Sequence, residues 1–369
     1  MHAIIPERYG RGIVRALVVS NMLPDAAHPE RGRFVRDQVA ALRGLDELDV
    51  ELYEFPPGGR ALARAARDMH DRFAGRGAGH AAQSAGSGRM SPIHRRARRA
   101  RFDVVHAHFG LTAWPALALP ARVRALTVHG TDLRHPRTRL ATRAVLPLID
   151  LLAVASASLA EELPARAARR AQVLPCGVDL ERFRPLPRAS ARAELGLDPD
   201  RPYLLFGADP SRAEKRYDRA LELARAVGVE LLALGGVDPV RVPLWINAAN
   251  AVLVPSEREG FGLVVLEALA CDVPVLATPV GVHPDALQGI RGTLCAPFEL
   301  ASWRTAVEPH LRAPERSGTA TSASPPRAES AFPPAIDGGG RVLGRASAMR
   351  FSAVAMAERV AAAWRAALG

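Results

Sequence analysis

Two glutamates stand eight positions apart across a glycine-flanked turn, in the segment Pro255-Ser256-Glu257-Arg258-Glu259-Gly260-Phe261-Gly262-Leu263-Val264-Val265-Leu266-Glu267. The preceding Ala251–Val254 reads as a short buried strand and the residues from Leu263 onward as an apolar helix, so the layout is strand, turn, helix. Backbone N–H groups at such a helix start lack partners and carry positive partial charge, which suits a phosphate. Gly260 and Gly262 would let a ligand approach the backbone closely. Glu267 has Leu263, Val264, Ala270 and Cys271 at its neighbouring helical positions, with no cation among them. An ionised carboxylate on that face is costly unless something polar meets it. A ligand with hydroxyls is one such partner; a misplaced acid that reaches solvent is the alternative.

The cations give a second signal. Of 49 basic residues, 48 are arginine and one is lysine, Lys215. Where arginine has replaced lysine so completely, the surviving lysine points to a site that needs a compact ammonium with rotatable donors instead of a planar fork. It follows a predicted strand, Tyr203–Phe206, and a loop over 207–214, and it precedes a predicted helix, Tyr217–Ala226. That is a favoured phosphate position in α/β folds. A merely solvated lysine is the competing reading. Val128-His129-Gly130-Thr131-Asp132 likewise leaves a predicted strand at the carboxyl edge of a sheet. There His129 could donate to a ligand hydroxyl or serve its own loop, and Asp132 would cap that loop. His106 and His108 share one strand face by alternation, but no third ligand is in view, so a metal is not expected.

The elements that must position these residues alternate as strands and helices, the mark of parallel sheets wrapped by helices. Early strands are expected at 13–19, 50–55, 104–106, 126–129, 151–155 and 173–174, and a second series at 203–206, 230–234, 251–254 and 273–277. The turn-rich Pro185-Leu186-Pro187 separates the two. The spacing predicts two Rossmann-like doubly wound domains, 1–180 and 181–345, with a helical tail over 346–369. Gly75–Gly88 reads as a surface loop, and 313–340 as a low-complexity segment rich in Pro, Ser, Ala and Thr.

A chain of 369 residues suffices for two sizeable cores. No apolar run of membrane-spanning length and no signal-peptide core is present, and three scattered cysteines argue against a disulfide framework or structural zinc. A cytoplasmic protein is expected, with peripheral attachment at the inner face of the membrane as an option. The formal charge of +11 fits phosphorylated substrates or an anionic membrane face. Its densest cluster, Arg95–Arg101, lacks the interleaved aromatics of a nucleic-acid platform, and no nucleic-acid motif appears. No Gly-x-Gly-x-x-Gly follows either first strand, which disfavours a dinucleotide oxidoreductase.

The Glu259–Glu267 segment resembles the Glu-x7-Glu motif of the retaining GT-B glycosyltransferases, glycosyl transferases group 1 (family 4). The resemblance implies two Rossmann-like domains facing a cleft and a final helix crossing back to the first domain. It implies a hexosyltransferase that moves a sugar from a nucleotide-diphospho-sugar to a hydroxyl acceptor, lipid-linked or small, in glycan or glycolipid biosynthesis. No cofactor is implied beyond that co-substrate, and no Asp-x-Asp metal site is visible. By resemblance Glu259 and His129 lie against the donor sugar, Glu267 holds the ribose, and Lys215 binds the diphosphate. Phe261, Gly262, Leu263 and Val264 form the receiving helix start. Arg212 stands in for a family arginine whose usual positions hold Asp209 and Pro210, and Gly32 alone replaces a glycine pair. The late loop Val280-Gly281-Val282-His283-Pro284-Asp285 departs from the family's Gly-Gly-x-Pro-Glu at Val280 and Asp285. Those departures leave a non-catalytic GT-B-like module that binds a membrane or partner as the alternative.

Overall fold

The computed structural model describes residues 12–74 (apart from 27 and 29), 101–311 and 340–369. The expected loop 75–88, the arginine cluster up to residue 100 and most of the low-complexity segment lie outside these residues. Two compact units emerge, one built from the chain up to Gly177 together with Ala353–Gly369, the other from Val178–Ser352.

The first unit carries six strands: β1 (Val14–Ser20), β2 (Leu48–Glu54), β3 (Phe102–His108), β4 (Ala121–Val128), β5 (Leu151–Val154) and β6 (Gln172–Val173). All pair in parallel in the order β2-β1-β3-β4-β5-β6. Parallel sheets bury both faces, and β1 shows it in the unbroken apolar run from Ala16 to Val19. Parallel strands need crossover connections, and their helices are divided between the faces. Arg33–Arg43 and the last helix, Ala353–Leu368, pack together on one face. There Val35, Val39, Leu42, Met356, Val360 and Trp364 close a single core over β1, β3 and β4. The helices Gly59–Met69, Gly110–Ala116 and Pro136–Val145 lie side by side on the other face.

The second unit repeats the design in five strands: β7 (Tyr203–Phe206), β8 (Glu230–Ala233), β9 (Ala251–Val254), β10 (Val275–Ala277) and β11 (Leu294–Cys295). They are parallel, in the order β11-β10-β9-β7-β8. Phe206 pairs with Leu253 and Ala277 with Val254, so the carboxyl ends of β7, β9 and β10 are level and their following loops converge. Trp303 and Val307 of the helix Leu300–Leu311 fill the core beside Leu204, Phe206 and Leu253. The fold is two Rossmann-like α/β domains. β10 starts two residues later than expected from the sequence, because Asp272 holds a left-handed φ of 55° that bends the chain before the strand. β11 escaped sequence reading because a pair of residues shows no alternation. The expected tail helix is broken at Phe351–Ser352, where Ser352 bridges to Val178.

Trp364 is fully buried and its indole N–H donates to His106 Nδ1 at 3.1 Å. Truncation to alanine removes a large core side chain and orphans that nitrogen. Trp364→Ala should lower the unfolding free energy of the first unit by about 3–5 kcal/mol in a urea melt, while Trp364→Phe should lose considerably less.

Candidate active site

Three loops at the level carboxyl edge of the second sheet build a buried polar cluster. The loop after β7 closes in a short 3-10 turn, Ala213–Lys215. Arg216 then takes a left-handed φ of 58° before the helix Tyr217–Val227 starts. That backbone aims Lys215 Nζ at Glu259 in the loop after β9, at 2.7 and 2.6 Å from the two carboxylate oxygens. Glu259 is buried and Lys215 nearly so, with side-chain exposures of 6% and 12%. Ser256 Oγ donates to Glu259 Oε1 at 2.8 Å, and Thr278 after β10 donates to the Ser256 carbonyl. Burial alone would raise the Glu259 carboxyl, but the ammonium, the nearby His283 and the Ser256 hydroxyl outweigh it and hold the group below its ordinary 4.5.

His283 completes the cluster, and no local pattern singles it out within the late loop. It is fully buried, with Nδ1 2.8 Å from the Thr278 carbonyl. A carbonyl only accepts, so Nδ1 carries the proton and Nε2 presents a bare lone pair, for which the described residues offer no partner. Burial lowers the imidazole's pKa, partly countered by Glu259. Nε2 lies against Gly262, where a Cβ would come within 2.3 Å of it. Gly262 also needs its φ of 100° to open the helix Leu263–Ala270. That one glycine therefore meets two constraints, a backbone region closed to side chains and the approach of the imidazole.

The first unit holds a second cluster, a stack of three histidines. His106 and His108 stack at 4.9 Å between ring centroids, and His108 and His129 at 5.1 Å. Because Trp364 donates to His106 Nδ1, the His106 proton sits on Nε2 and points to Thr127 Oγ1 at 2.8 Å. His108 Nδ1 lies 2.9 Å from His129 Nε2. Burial drives His106 and His129 down to about 3 and His108 well below its usual value. The three rings are therefore neutral at physiological pH and act as oriented hydrogen-bonding groups. Asp132 accepts the backbone N–H of His129 at 2.7 Å and of Gly110 at 3.2 Å, fixing the loop as the sequence reading proposed. Its own carboxyl is raised by burial to about 6. No group of three His, Cys, Asp or Glu side chains able to hold a metal ion occurs among the described residues.

The sequence-expected residues fall into two sets. Lys215, Glu259, Phe261, Gly262, Leu263, Val264 and Glu267 gather in the second unit, where Phe261 is buried and Glu267 lies half-buried on the helix that Gly262 opens. Arg212 belongs to the same unit, but its guanidinium is 56% exposed and bound to Glu214, away from the Lys215–Glu259 contact. Gly32 and His129 belong to the first unit. Gly32 has a φ of 70° at the start of Arg33–Arg43, and a Cβ there would meet the Met22 carbonyl at 2.3 Å.

The sequence profile described as glycosyl transferases group 1 matches residues 185–317, and that of glycosyltransferase family 4 matches residues 32–182. A D-inositol 3-phosphate glycosyltransferase of Actinosynnema mirum is 32% identical over 276 residues, covering 57% of this chain and 66% of the relative. Its counterpart in Segniliparus rotundus is 30% identical over 323 residues, covering 73% and 67%. This chain thus spans about two thirds of the length of these relatives. Among solved structures, sucrose-phosphate synthase from Thermosynechococcus elongatus superposes with a TM-score of 0.64 at 20% identity, covering 96% of this chain and 98% of the other. Anabaena Alr3699/HepE in complex with UDP-glucose gives 0.62 at 14% identity, covering 95% and 99%.

The Lys215–Glu259 pair predicts a pH dependence of defined sign. A carboxyl held below its unfolded value stabilises the fold above about 4.5, and the gain is lost as pH falls through the lowered value. In Lys215→Met, burial acts with less opposition and the carboxyl rises above 4.5 instead. Stability of the variant should then fall as pH rises from 4 toward 7, by about 3–5 kcal/mol relative to the native chain at neutral pH. Urea melts at several pH values read both slopes. Parallel slopes for the two proteins would show that the pair does not set them.

Proposed function

We propose that this chain, which belongs to the glycosyl transferases of group 1, moves a hexosyl group from a nucleotide-diphospho-sugar to a hydroxyl acceptor with retention of configuration. The observation that carries the reading is the buried Lys215–Glu259 pair beside the start of the helix Leu263–Ala270. An ammonium has three N–H donors, and two face the carboxylate here, so the third is free in direction to meet a diphosphate oxygen. The first-turn N–H groups of Leu263 and Val264, exposed by Gly262, supply further positive partial charge. One structural neighbour, Anabaena Alr3699/HepE, solved with UDP and glucose and again with UDP-glucose, supports a nucleotide-sugar as the donor class.

On this reading the bond from the anomeric carbon to the diphosphate oxygen breaks as the acceptor oxygen bonds to that carbon. The acceptor proton passes to the departing diphosphate. Lys215 and the helix start stabilise the charge that develops, a task worth about 3 kcal/mol for each donor group. Glu259 and His129 bind hydroxyls of the transferred sugar, and Glu267 takes the ribose. The histidine acts as a fixed neutral donor or acceptor, in keeping with its depressed pKa. No protein-bound metal is assigned a role. The acceptor is a lipid-linked or small hydroxyl compound; the curated relatives are named for an inositol phosphate.

A thermal-shift panel of UDP, GDP, ADP and their sugars tests the reading. A ligand at about 100 times its dissociation constant stabilises by about 2.7 kcal/mol, a shift of several degrees for units of this size. One nucleotide should produce that shift in the native chain. The double variant Lys215→Met/Glu259→Gln, which removes both charges of the pair together and so spares the fold, should lose it. Donor hydrolysis by Glu259→Gln should drop about 100-fold or more. No shift with any nucleotide would overturn the transferase reading in favour of a non-catalytic binding module.

A further inference from the structure

The positive charge of this chain is concentrated in one stretch. Residues 59–145 contain 17 arginines and four aspartates, a net +13, so the rest of the chain, whose total is +11, is slightly acidic. Three helices of that stretch, Gly59–Met69, Gly110–Ala116 and Pro136–Val145, lie side by side on one face of the first sheet. Arg60, Arg64 and Arg67 recur at three- and four-residue spacing on the first helix and are exposed, as are Arg137, Arg139 and Arg143 on the third. None of these six is held by a carboxylate among the described residues, whereas Arg134 beside them is bound by Glu162. Of the four aspartates, Asp71 is exposed and bridges to none of the six arginines, and the other three are engaged elsewhere. Asp68 holds Tyr53 and Arg72, Asp103 lies beside Arg15 and Arg122, and Asp132 is buried on its loop.

Large apolar side chains project from the same helices and the turn that follows them. Trp114 is 42% exposed, Leu140 73% and Leu148 46%. The Trp114 indole N–H donates to the Ala141 carbonyl at 3.2 Å, which satisfies its polar edge and leaves ring surface outward. No helix among the described residues is long and apolar enough to cross a membrane. Unpaired cations interspersed with an outward tryptophan and leucines match a surface that is anionic at its boundary and apolar beneath. Nucleic acid would meet the cations but gives Leu140 and Leu148 nothing to enter.

We propose that this three-helix face docks on an anionic lipid bilayer, with the arginines at the headgroups and Trp114, Leu140 and Leu148 at the acyl boundary. The inference stands on unit-one residues and does not depend on the transfer reaction. Co-sedimentation of the full chain with vesicles of phosphatidylcholine, with and without phosphatidylglycerol, tests it at low and high salt. Binding should require phosphatidylglycerol and weaken with salt, and the emission of Trp114 should shift to the blue on binding. Arg60→Glu/Arg64→Glu/Arg137→Glu should reduce the partition by about 100-fold, near fivefold per arginine or more. Leu140→Asp should reduce it while leaving the charge pattern nearly intact. Circular dichroism and the nucleotide-induced thermal shift check that both units of each variant remain folded. Equal binding to neutral and anionic vesicles, unchanged binding by the charge-reversed variant, or tighter binding to a nucleic-acid competitor than to the vesicles would each overturn the proposal.

Discussion

The second unit is organised around a carboxylate taken out of water. Glu259 is buried and ionised, and an isolated buried carboxylate is costly to the fold. Lys215 makes it tolerable, and that requirement propagates outward. The ammonium must arrive from the loop after β7, so the chain adopts a left-handed turn at Arg216, a conformation that disfavours a side chain. In this chain Arg216 is held by contacts to Asp218 and Glu257, which offset the strain at that residue. Ser256, Thr278 and His283 then follow in a series of hydrogen bonds that ends at the unpartnered His283 Nε2. Removing the carboxylate would leave this chain of contacts without its centre.

Parallel pairing makes the convergence possible. When strands run in register with level carboxyl ends, every following loop is delivered to the same edge. The first unit shows the same effect, since β1, β3 and β4 pair Ser20 with His108 and His108 with Thr127. His129, two residues beyond Thr127, is thereby brought onto the His108 ring. The strained backbone at this edge is local and specific. Phe109 holds a φ of 74° immediately before Gly110, whose Cα faces Thr142 so closely that a Cβ would lie 2.0 Å from its hydroxyl. Unusual backbone at both edges coincides with the polar clusters, as expected where geometry outranks local comfort.

Much of this was legible in the residues. The succession of strands and helices along the chain and the helix opened by Gly262 follow from types and spacing, as does the choice of Lys215 as the cation to watch. What Lys215 touches does not. Its place after a strand points to a phosphate, and the structure pairs it with Glu259, 44 positions away, a contact that depends on strand register. His283 was invisible for a similar reason: its role depends on the Thr278 carbonyl and on the absence of a Cβ at Gly262, neither of which has a local signature. The histidine stack illustrates the third kind of gap. Alternation set His106 and His108 on one face, but the third ring and the Trp364 cap come from other elements, one of them 258 positions away in sequence. The short strand β11 and the bend at Asp272 lay below the resolution of any periodicity argument.

Why a lysine survives at position 215, in a chain that otherwise uses arginine, follows from this geometry. A guanidinium meeting a carboxylate would do so in its own plane through two parallel donors, and its other N–H groups would stay in that plane. An ammonium that spans both oxygens of Glu259 keeps a third donor out of the carboxylate plane, free to rotate toward a second anion. It is also smaller, which matters where the flanking space is taken by Ser256, Thr278 and His283. The arginines on the three-helix face of the first unit stand in the opposite setting, exposed, each with a permanent, weakly hydrated charge and several outward donors. The buried contact at Glu259 thus favours the compact cation, whereas an exposed face accommodates the planar one.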